Sequence, residues 1–196
     1  MLSLVNFVLF FVLGFHIFID FTKAIYAQTV NPYIWIGNHS IRSFVVLSLD
    51  RANEYSGLAQ MILLTITVAC IFLIILRNYQ EPRNGIDSYL LLACTIGASL
   101  VPSVSHDYKL SIITPSVAIV FSDIASSFGK VTQARRRLFL IALTFIFSFA
   151  YTSTLFSFTN KPWFLKSNCP ALLIMLLMVT FFALMSNHTV ADTSEI

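Results

Sequence analysis

Charged side chains are scarce in this sequence of 196 residues. Lysine and arginine together number 12 and aspartate and glutamate number 9, so that 11% of the residues are charged. A soluble domain usually carries about 25% charged residues, because its surface must face water. The composition therefore excludes an ordinary water-soluble domain. The net charge of +3 gives no reason to expect a nucleic-acid partner, since the basic residues lie in short segments beside apolar ones.

Sequence motifs of common enzymes and metal sites are also missing. Cys70, Cys94 and Cys169 show no CxxC spacing, which excludes a zinc site or a disulfide framework. No GxSxG, HExxH, Walker A or GxGxxG pattern occurs, so nothing supports a hydrolase, a zinc protease or a nucleotide-binding loop. We expect neither a metal nor a cofactor. No repeat, low-complexity segment or linker divides the chain, which predicts a single domain over residues 1–196.

Long segments without any charge dominate the chain instead. Each is near or above the roughly 18–20 residues that a helix needs to cross a bilayer, and they cover residues 1–19, 58–76, 88–105, 138–160 and 167–191. A sixth apolar segment from Leu110 to Phe128 contains Asp123, and either crosses the membrane or lies at its interface. The sequence predicts an all-α, polytopic membrane protein of about six transmembrane helices. The expected spans are about 2–19, 58–76, 88–105, 110–128, 138–157 and 169–186.

Basic residues predict the orientation, since loops rich in lysine and arginine stay in the cytoplasm. Lys130 and residues 135–137 form the strongest basic cluster, followed by Arg77 and Arg83. With both clusters in the cytoplasm, the two termini are cytoplasmic as well. We expect the protein to lie in the plasma (inner) membrane, with the lipid bilayer as its partner. The outward loops are then 20–57, 102–109 and 156–166. The first apolar run lacks the basic start of a signal peptide, so we expect a retained helix.

Two outward loops carry candidate functional side chains. Residues 37–57, GNHSIRSFVVLSLDRANEYSG, predict an amphipathic helix on the membrane surface with Asn38 or Ser40 as its N-cap; a connecting loop is the alternative. Pro102 predicts that the third span ends or kinks at Val101. The ionisable residues that follow within four positions either form a site or only solvate the turn. They are His106, Asp107 and Lys109.

Asp20 lies four residues after His16, so that both face the same way on a helix. A carboxylate at this position either acts as a general base or merely marks the outer end of the first span.

The segments GNHSI (37–41) and VPSVSHDYKLSIITP (101–115) resemble the two motifs of the family 87 glycosyltransferases, membrane enzymes of the GT-C class. The resemblance covers roughly residues 31–125, and the chain is similar to the C-terminal half of such an enzyme. It departs from the family pattern at position 39, where histidine replaces the usual glutamine. The tryptophan that is common in the second motif is also missing.

The resemblance implies transfer of a hexosyl or pentosyl group from a polyprenyl-phosphate sugar to a glycan or lipid acceptor at the outer membrane face. A carboxylate would act as general base, with Asp20 as the candidate. The residues implied in binding the donor's phosphate or sugar are Asn38, His39, Ser40, Arg51, His106, Asp107 and Lys109. Because the family keeps its base in the N-terminal half, a separate chain supplying that half is an expected partner. The alternatives are a non-catalytic multi-pass membrane subunit or a small transporter.

Overall fold

The computed structural model of the chain describes residues 14–30, 34, 38–49, 54–80, 85–102, 105, 110–126, 133–155 and 167–185. These residues form seven helices and no strand, which confirms the predicted all-α class. In chain order the helices are α1 (Phe15–Val30), α2 (Ile41–Leu49), α3 (Tyr55–Gln80), α4 (Ser88–Leu100), α5 (Leu110–Ser126), α6 (Gln133–Leu155) and α7 (Cys169–Met185).

The chain divides into two compact units, Met1–Tyr33 and Ile34–Ile196. In the first unit, α1 continues past Asp20 to Val30, so the polar stretch that we expected to begin at Asp20 begins within a helix. A hydrogen bond and an ion pair within the helix agree with this continuation. The hydroxyl of Thr22 donates to the Phe18 carbonyl at 2.7 Å, and Nζ of Lys23 lies 4.0 Å from Oδ1 of Asp20. The bond satisfies the Thr22 hydroxyl within the helix, and an acid–base pair three residues apart supports the helix through this polar stretch.

Helix starts and ends in the second unit follow local sequence signals. The side-chain oxygen of Ser40 accepts a hydrogen bond from the Ser43 N–H at 3.2 Å, which confirms Ser40 as the N-cap of α2. Asp87 caps α4 in the same way, accepting from the Leu90 N–H at 2.9 Å. Helix α4 ends at Leu100, two residues before Pro102, as the prediction of an end near Val101 requires.

Helices α3, α4 and α7 pack on one another in the centre of the second unit. Helix α2 packs on α3, α5 on α4 and α6 on α7, while α5 and α6 touch only slightly. Large aliphatic side chains fill the centre without solvent exposure; examples are Ile74, Leu92, Ile96, Met175 and Leu176. The close packing of these fully buried side chains places the core of the unit at this contact.

Apolar side chains also cover much of the outside of the second unit. Exposed examples are Met61, Val68, Ile112, Leu138, Phe145, Ile174 and Phe181. Among the described helices, α3 is long and apolar enough by length and composition to cross a membrane, and only 17% of its most apolar stretch is buried. The shorter apolar helices are α4, residues Leu110–Ala125 of α5, and α7.

Candidate functional site

Asn38 joins the segment before α2 to the segment after α4. Its side-chain oxygen accepts hydrogen bonds from the backbone N–H of Ser105 at 2.8 Å and from that of Ser40 at 3.3 Å. The N–H of His39 donates to the Ser105 carbonyl at 2.8 Å. Two bonds therefore fix Ser105 to the residues that precede α2, so the two segments singled out in the sequence meet at this point.

The start of α7 reaches the same place. The N–H of Asn168 donates to Nδ1 of His39 at 3.3 Å, and the Asn168 carbonyl accepts from the Leu172 N–H at 3.0 Å. Because Nδ1 accepts a hydrogen bond, the neutral imidazole carries its proton on Nε2. The side-chain oxygen of Asn168 is buried and accepts no hydrogen bond in the described part of the chain.

We call Asn38, His39, Ser40, Ser105 and Asn168 the Asn38 junction. All five are buried, and Asn38, Ser40 and Asn168 are fully so. Buried polar groups of this kind are stable only when they are hydrogen-bonded, and apart from the side-chain oxygen of Asn168 the junction meets that condition with bonds between three distant parts of the chain. These bonds hold the three backbone segments in place relative to one another. The side chains of Asn38 and His39 accept hydrogen bonds from backbone groups of the protein itself.

A second polar cluster lies where α3 ends and α4 begins. Arg77 and Asp87 form an ion pair with Nη1 and Oδ2 3.3 Å apart, and both side chains are almost completely buried. The guanidinium of Arg77 also lies over the Tyr89 ring, 5.5 Å from its centroid. The hydroxyl of Ser88 donates to Oδ2 of Asp123 at 2.7 Å and so attaches α5 to α4. We call these five residues the Arg77 cluster.

The junction and the cluster lie at opposite ends of the packed helices. Helix α4 begins at the cluster and ends before Ser105, and its 13 residues span about 20 Å. Helix α7 begins just after Asn168, and its Phe182 ring lies 6.0 Å from the Tyr89 ring between centroids. The Phe139 ring stacks on Phe182 with centroids 4.0 Å apart, which places the start of α6 at the Arg77 end.

The other residues predicted for the site are distributed as follows. Asp20 is exposed on α1 in the first unit, with Lys23 as its ionic neighbour. Arg51, His106, Asp107 and Lys109 lie outside the described residues. Within the described ranges, no three His, Cys, Asp or Glu side chains are grouped so that they could hold a metal ion.

Sequence reasoning missed Asn168 and the partners of Arg77. Asn168 had a local signal, because an asparagine followed by a cysteine and a proline at the start of an apolar run suits a helix N-terminus. Arg77 and Asp87 are opposite charges on either side of a short connection between two apolar runs, a pattern that suits an ion pair. Neither signal gives the tertiary contact by itself.

Comparison with known proteins finds no counterpart: no protein-family model, no curated protein and no solved structure matches the chain.

Proposed function

We propose that this protein is a multi-pass membrane protein with about six transmembrane helices, located in the plasma (inner) membrane. The support is the apolar outer surface. Large aliphatic and aromatic side chains are exposed along α3, α5, α6 and α7, among them Val68, Ile119, Phe145 and Phe181. Soluble monomers rarely expose apolar patches beyond a few hundred Å², whereas lipid chains cover such a surface without loss.

The proposed orientation puts the Arg77 end in the cytoplasm and the Asn38 junction at the outer face. Arg135, Arg136 and Arg137 lie in the first turns of α6, just before the Phe139 ring that stacks on Phe182. Translocating three consecutive arginines is strongly disfavoured, which supports a cytoplasmic position for this end.

Cysteine labelling tests this orientation with two exposed positions at opposite ends. Val101→Cys lies after α4 at the junction end, and Ala134→Cys lies beside the arginines. In a chain whose three native cysteines are replaced, a membrane-impermeant maleimide should label Val101→Cys in intact cells and Ala134→Cys only after permeabilisation. The reverse pattern would invert the topology.

At the outer face we propose the transfer of a sugar from a polyprenyl-phosphate donor to a glycan or lipid acceptor. The observation that carries this proposal is the 2.8 Å hydrogen bond between Asn38 and Ser105. It joins the two segments whose sequences resemble the glycosyltransferase motifs, and Ser105 immediately precedes His106. A donor site needs such a convergence, because separate loops must supply the groups that bind sugar and phosphate.

The proposed roles follow from the chemistry of the side chains. His106, Lys109 and Arg51 donate to the departing phosphate, since charge-assisted bonds to phosphate oxygens are the stronger kind. Asp107 belongs to the same segment and accepts from a sugar hydroxyl. Asn38, His39 and Ser40 position these loops, because their groups bond within the junction. Asp20 or a carboxylate of a separate chain serves as base.

A non-catalytic membrane subunit is the second candidate, and one observation favours it. The side chains of Asn38, His39 and Ser40 are buried inside the junction, where no sugar hydroxyl reaches them. In a subunit, these residues would shape a surface that binds the lipid-linked sugar or a catalytic partner, with the base on the partner chain.

Donor binding and transfer by the purified full chain separate these functions. We expect Lys109→Ala to weaken binding of a polyprenyl-phosphate sugar about tenfold to a hundredfold, the loss of one charge-assisted bond of roughly 1.5–3 kcal/mol. His106→Ala should weaken it as well, whereas Lys161→Ala in another predicted outer loop should not. Binding without transfer identifies the subunit, and binding with transfer the enzyme. Unchanged binding in both loop variants would remove the phosphate role.

A further inference from the structure

The start of α6 carries two arginines whose charges are not balanced within the described chain. Arg135 and Arg137 are exposed, while Arg136 between them is half-buried. Neither exposed arginine forms an ion pair with a residue in the ranges that the structure describes. At this end, Asp87 pairs with Arg77 and Asp123 accepts from Ser88. Asp87 and Asp123 thus have partners of their own.

Helix stability does not explain cations at this position. The first turn of a helix carries the positive end of its dipole, equivalent to roughly half an elementary charge, which disfavours arginine there. Arg135 lies in this first turn, so removing it should relieve a small local repulsion. Both charges are exposed and free to bind a group from outside the described chain.

An exposed apolar strip begins directly after the arginines. Leu138, Ile141 and Phe145 are 68%, 66% and 72% exposed and lie on one face of α6 by their spacing of three and four residues. Successive helical residues are about 100° apart, so Arg135 and Arg137 flank this strip on its two sides. The strip extends about 12 Å along the axis from Arg137 to Phe145.

We propose that Arg135 and Arg137 bind the phosphate of an anionic phospholipid whose acyl chain lies along the strip of Leu138, Ile141 and Phe145. The inference rests on the proposed membrane placement and adds a defined lipid site to it. Guanidinium groups bind phosphate oxygens in a two-pronged geometry that an ammonium group lacks. A phosphate joined to a hydrocarbon chain fits this surface, because the phosphate can bind the two arginines while the chain lies along the apolar strip.

The apolar strip distinguishes a lipid from the other anions that arginines bind. In the proposed membrane placement the strip faces lipid chains, so a phosphate joined to such a chain lies beside the arginines, whereas a free phosphate or an acidic peptide would have to bind them from water without using the strip. An anionic phospholipid satisfies both features at once. Basic residues near a membrane surface contribute roughly a fivefold gain in affinity for anionic lipid each.

Native mass spectrometry of the full chain in neutral detergent measures this binding. Phosphatidylglycerol should bind more tightly than phosphatidylcholine with identical acyl chains, and soluble glycerol phosphate should not bind. The double variant Arg135→Gln/Arg137→Gln should lose roughly 25-fold in affinity for phosphatidylglycerol and nothing for phosphatidylcholine. Arg135→Lys/Arg137→Lys should retain only part of the preference, because an ammonium group keeps the charge but not the two-pronged geometry. Lys23→Gln, a charge removed from the first unit, should retain all of it.

Three outcomes would overturn the proposal: no preference for phosphatidylglycerol in the wild type, an unchanged preference in the double glutamine variant, or equally tight binding of glycerol phosphate. Circular dichroism confirms that the variants keep their helices. The single variants Arg135→Gln and Arg137→Gln, each expected to lose about fivefold in affinity for phosphatidylglycerol, provide the test if the double variant unfolds. Retention in phosphatidylcholine vesicles after alkaline washing tests the membrane placement separately. A chain that is retained but shows no lipid preference contradicts only the site at α6.

Discussion

The side-chain oxygen of Asn38 lies 2.8 Å from the backbone nitrogen of Ser105, although 67 residues separate the two in sequence. Both residues are buried, so neither group has water as an alternative partner. In such a place, a backbone N–H that loses its acceptor destabilises the fold by about 1–3 kcal/mol. The position of the segment after α4 therefore depends on the Asn38 side chain, together with the His39 N–H that donates to the Ser105 carbonyl.

Replacing Asn38 with alanine should destabilise the protein by about 2–3 kcal/mol, because the N–H groups of Ser105 and Ser40 lose their shared acceptor. Asn78→Ala on α3 removes the same amide from a half-buried helical position, and should change stability by less than about 1 kcal/mol. Unfolding of the detergent-solubilised protein by sodium dodecyl sulfate gives the comparison. Equal losses in the two variants would contradict the importance of the junction.

His39 should be replaceable only by a residue that accepts a hydrogen bond where Nδ1 does. His39→Phe keeps an aromatic ring but leaves the Asn168 N–H without an acceptor, and should destabilise the protein by about 1–3 kcal/mol. His39→Asn places an oxygen near the position of Nδ1, and should retain part of that stability. Hydrogen exchange at the Asn168 amide reports on the bond directly: it should accelerate in the phenylalanine variant and less in the asparagine variant. Equal exchange in both would exclude the bond.

Local features of this fold were predictable from the sequence because they depend on neighbouring residues. The apolar runs 58–76 and 88–105 contain most of α3 and α4, since few other structures satisfy the backbone of such segments. Ser40 caps α2, and α4 ends just before Pro102, because capping and the steric effect of proline act over a few positions.

The long-range contacts were not predictable in the same way. Nothing near Asn38 indicates that Ser105 is its partner, because that contact depends on how α3, α4 and α7 pack. Arg77 illustrates the same limit. We expected it in a cytoplasmic loop beside an apolar run, whereas it is buried in the last turn of α3. The carboxylate of Asp87 and the Tyr89 ring make that burial tolerable, and both come from the following helix segment.

The close contact of α3 and α4 should depend on the small size of residue 97. A Cβ atom at Gly97 would lie 2.7 Å from Cδ1 of Ile71, the flexible end of that side chain. Gly97→Ala should therefore change stability by less than about 1 kcal/mol, since the Ile71 methyl can rotate away and alanine favours helix. Gly97→Leu forces the helices apart and should destabilise the protein by about 1–3 kcal/mol. Denaturant titration of both variants measures the difference, and a leucine variant as stable as wild type would disprove the close contact.

Arg77 and Asp87 should behave as a coupled pair in a double-mutant cycle. Arg77→Met keeps much of the side-chain volume but leaves the carboxylate of Asp87 buried without its ionic partner. Asp87→Asn keeps an oxygen that can cap α4 for the Leu90 N–H, but leaves the Arg77 charge unbalanced. Each single change should destabilise the protein by about 3–5 kcal/mol, the usual effect of isolating one buried charge.

The double variant Arg77→Met/Asp87→Asn should lose much less stability than the sum of the two single losses, because it leaves no unpaired charge behind. Asp87→Ala in the Arg77→Met background then removes only the cap, and should lower the free energy of unfolding by about a further 1 kcal/mol. The free energies of unfolding of the wild type and of all the variants give the coupling energy between the two side chains. Strictly additive losses would mean that the two side chains stabilise the helix ends independently, with Arg77 held by the Tyr89 ring rather than by the 3.3 Å ion pair.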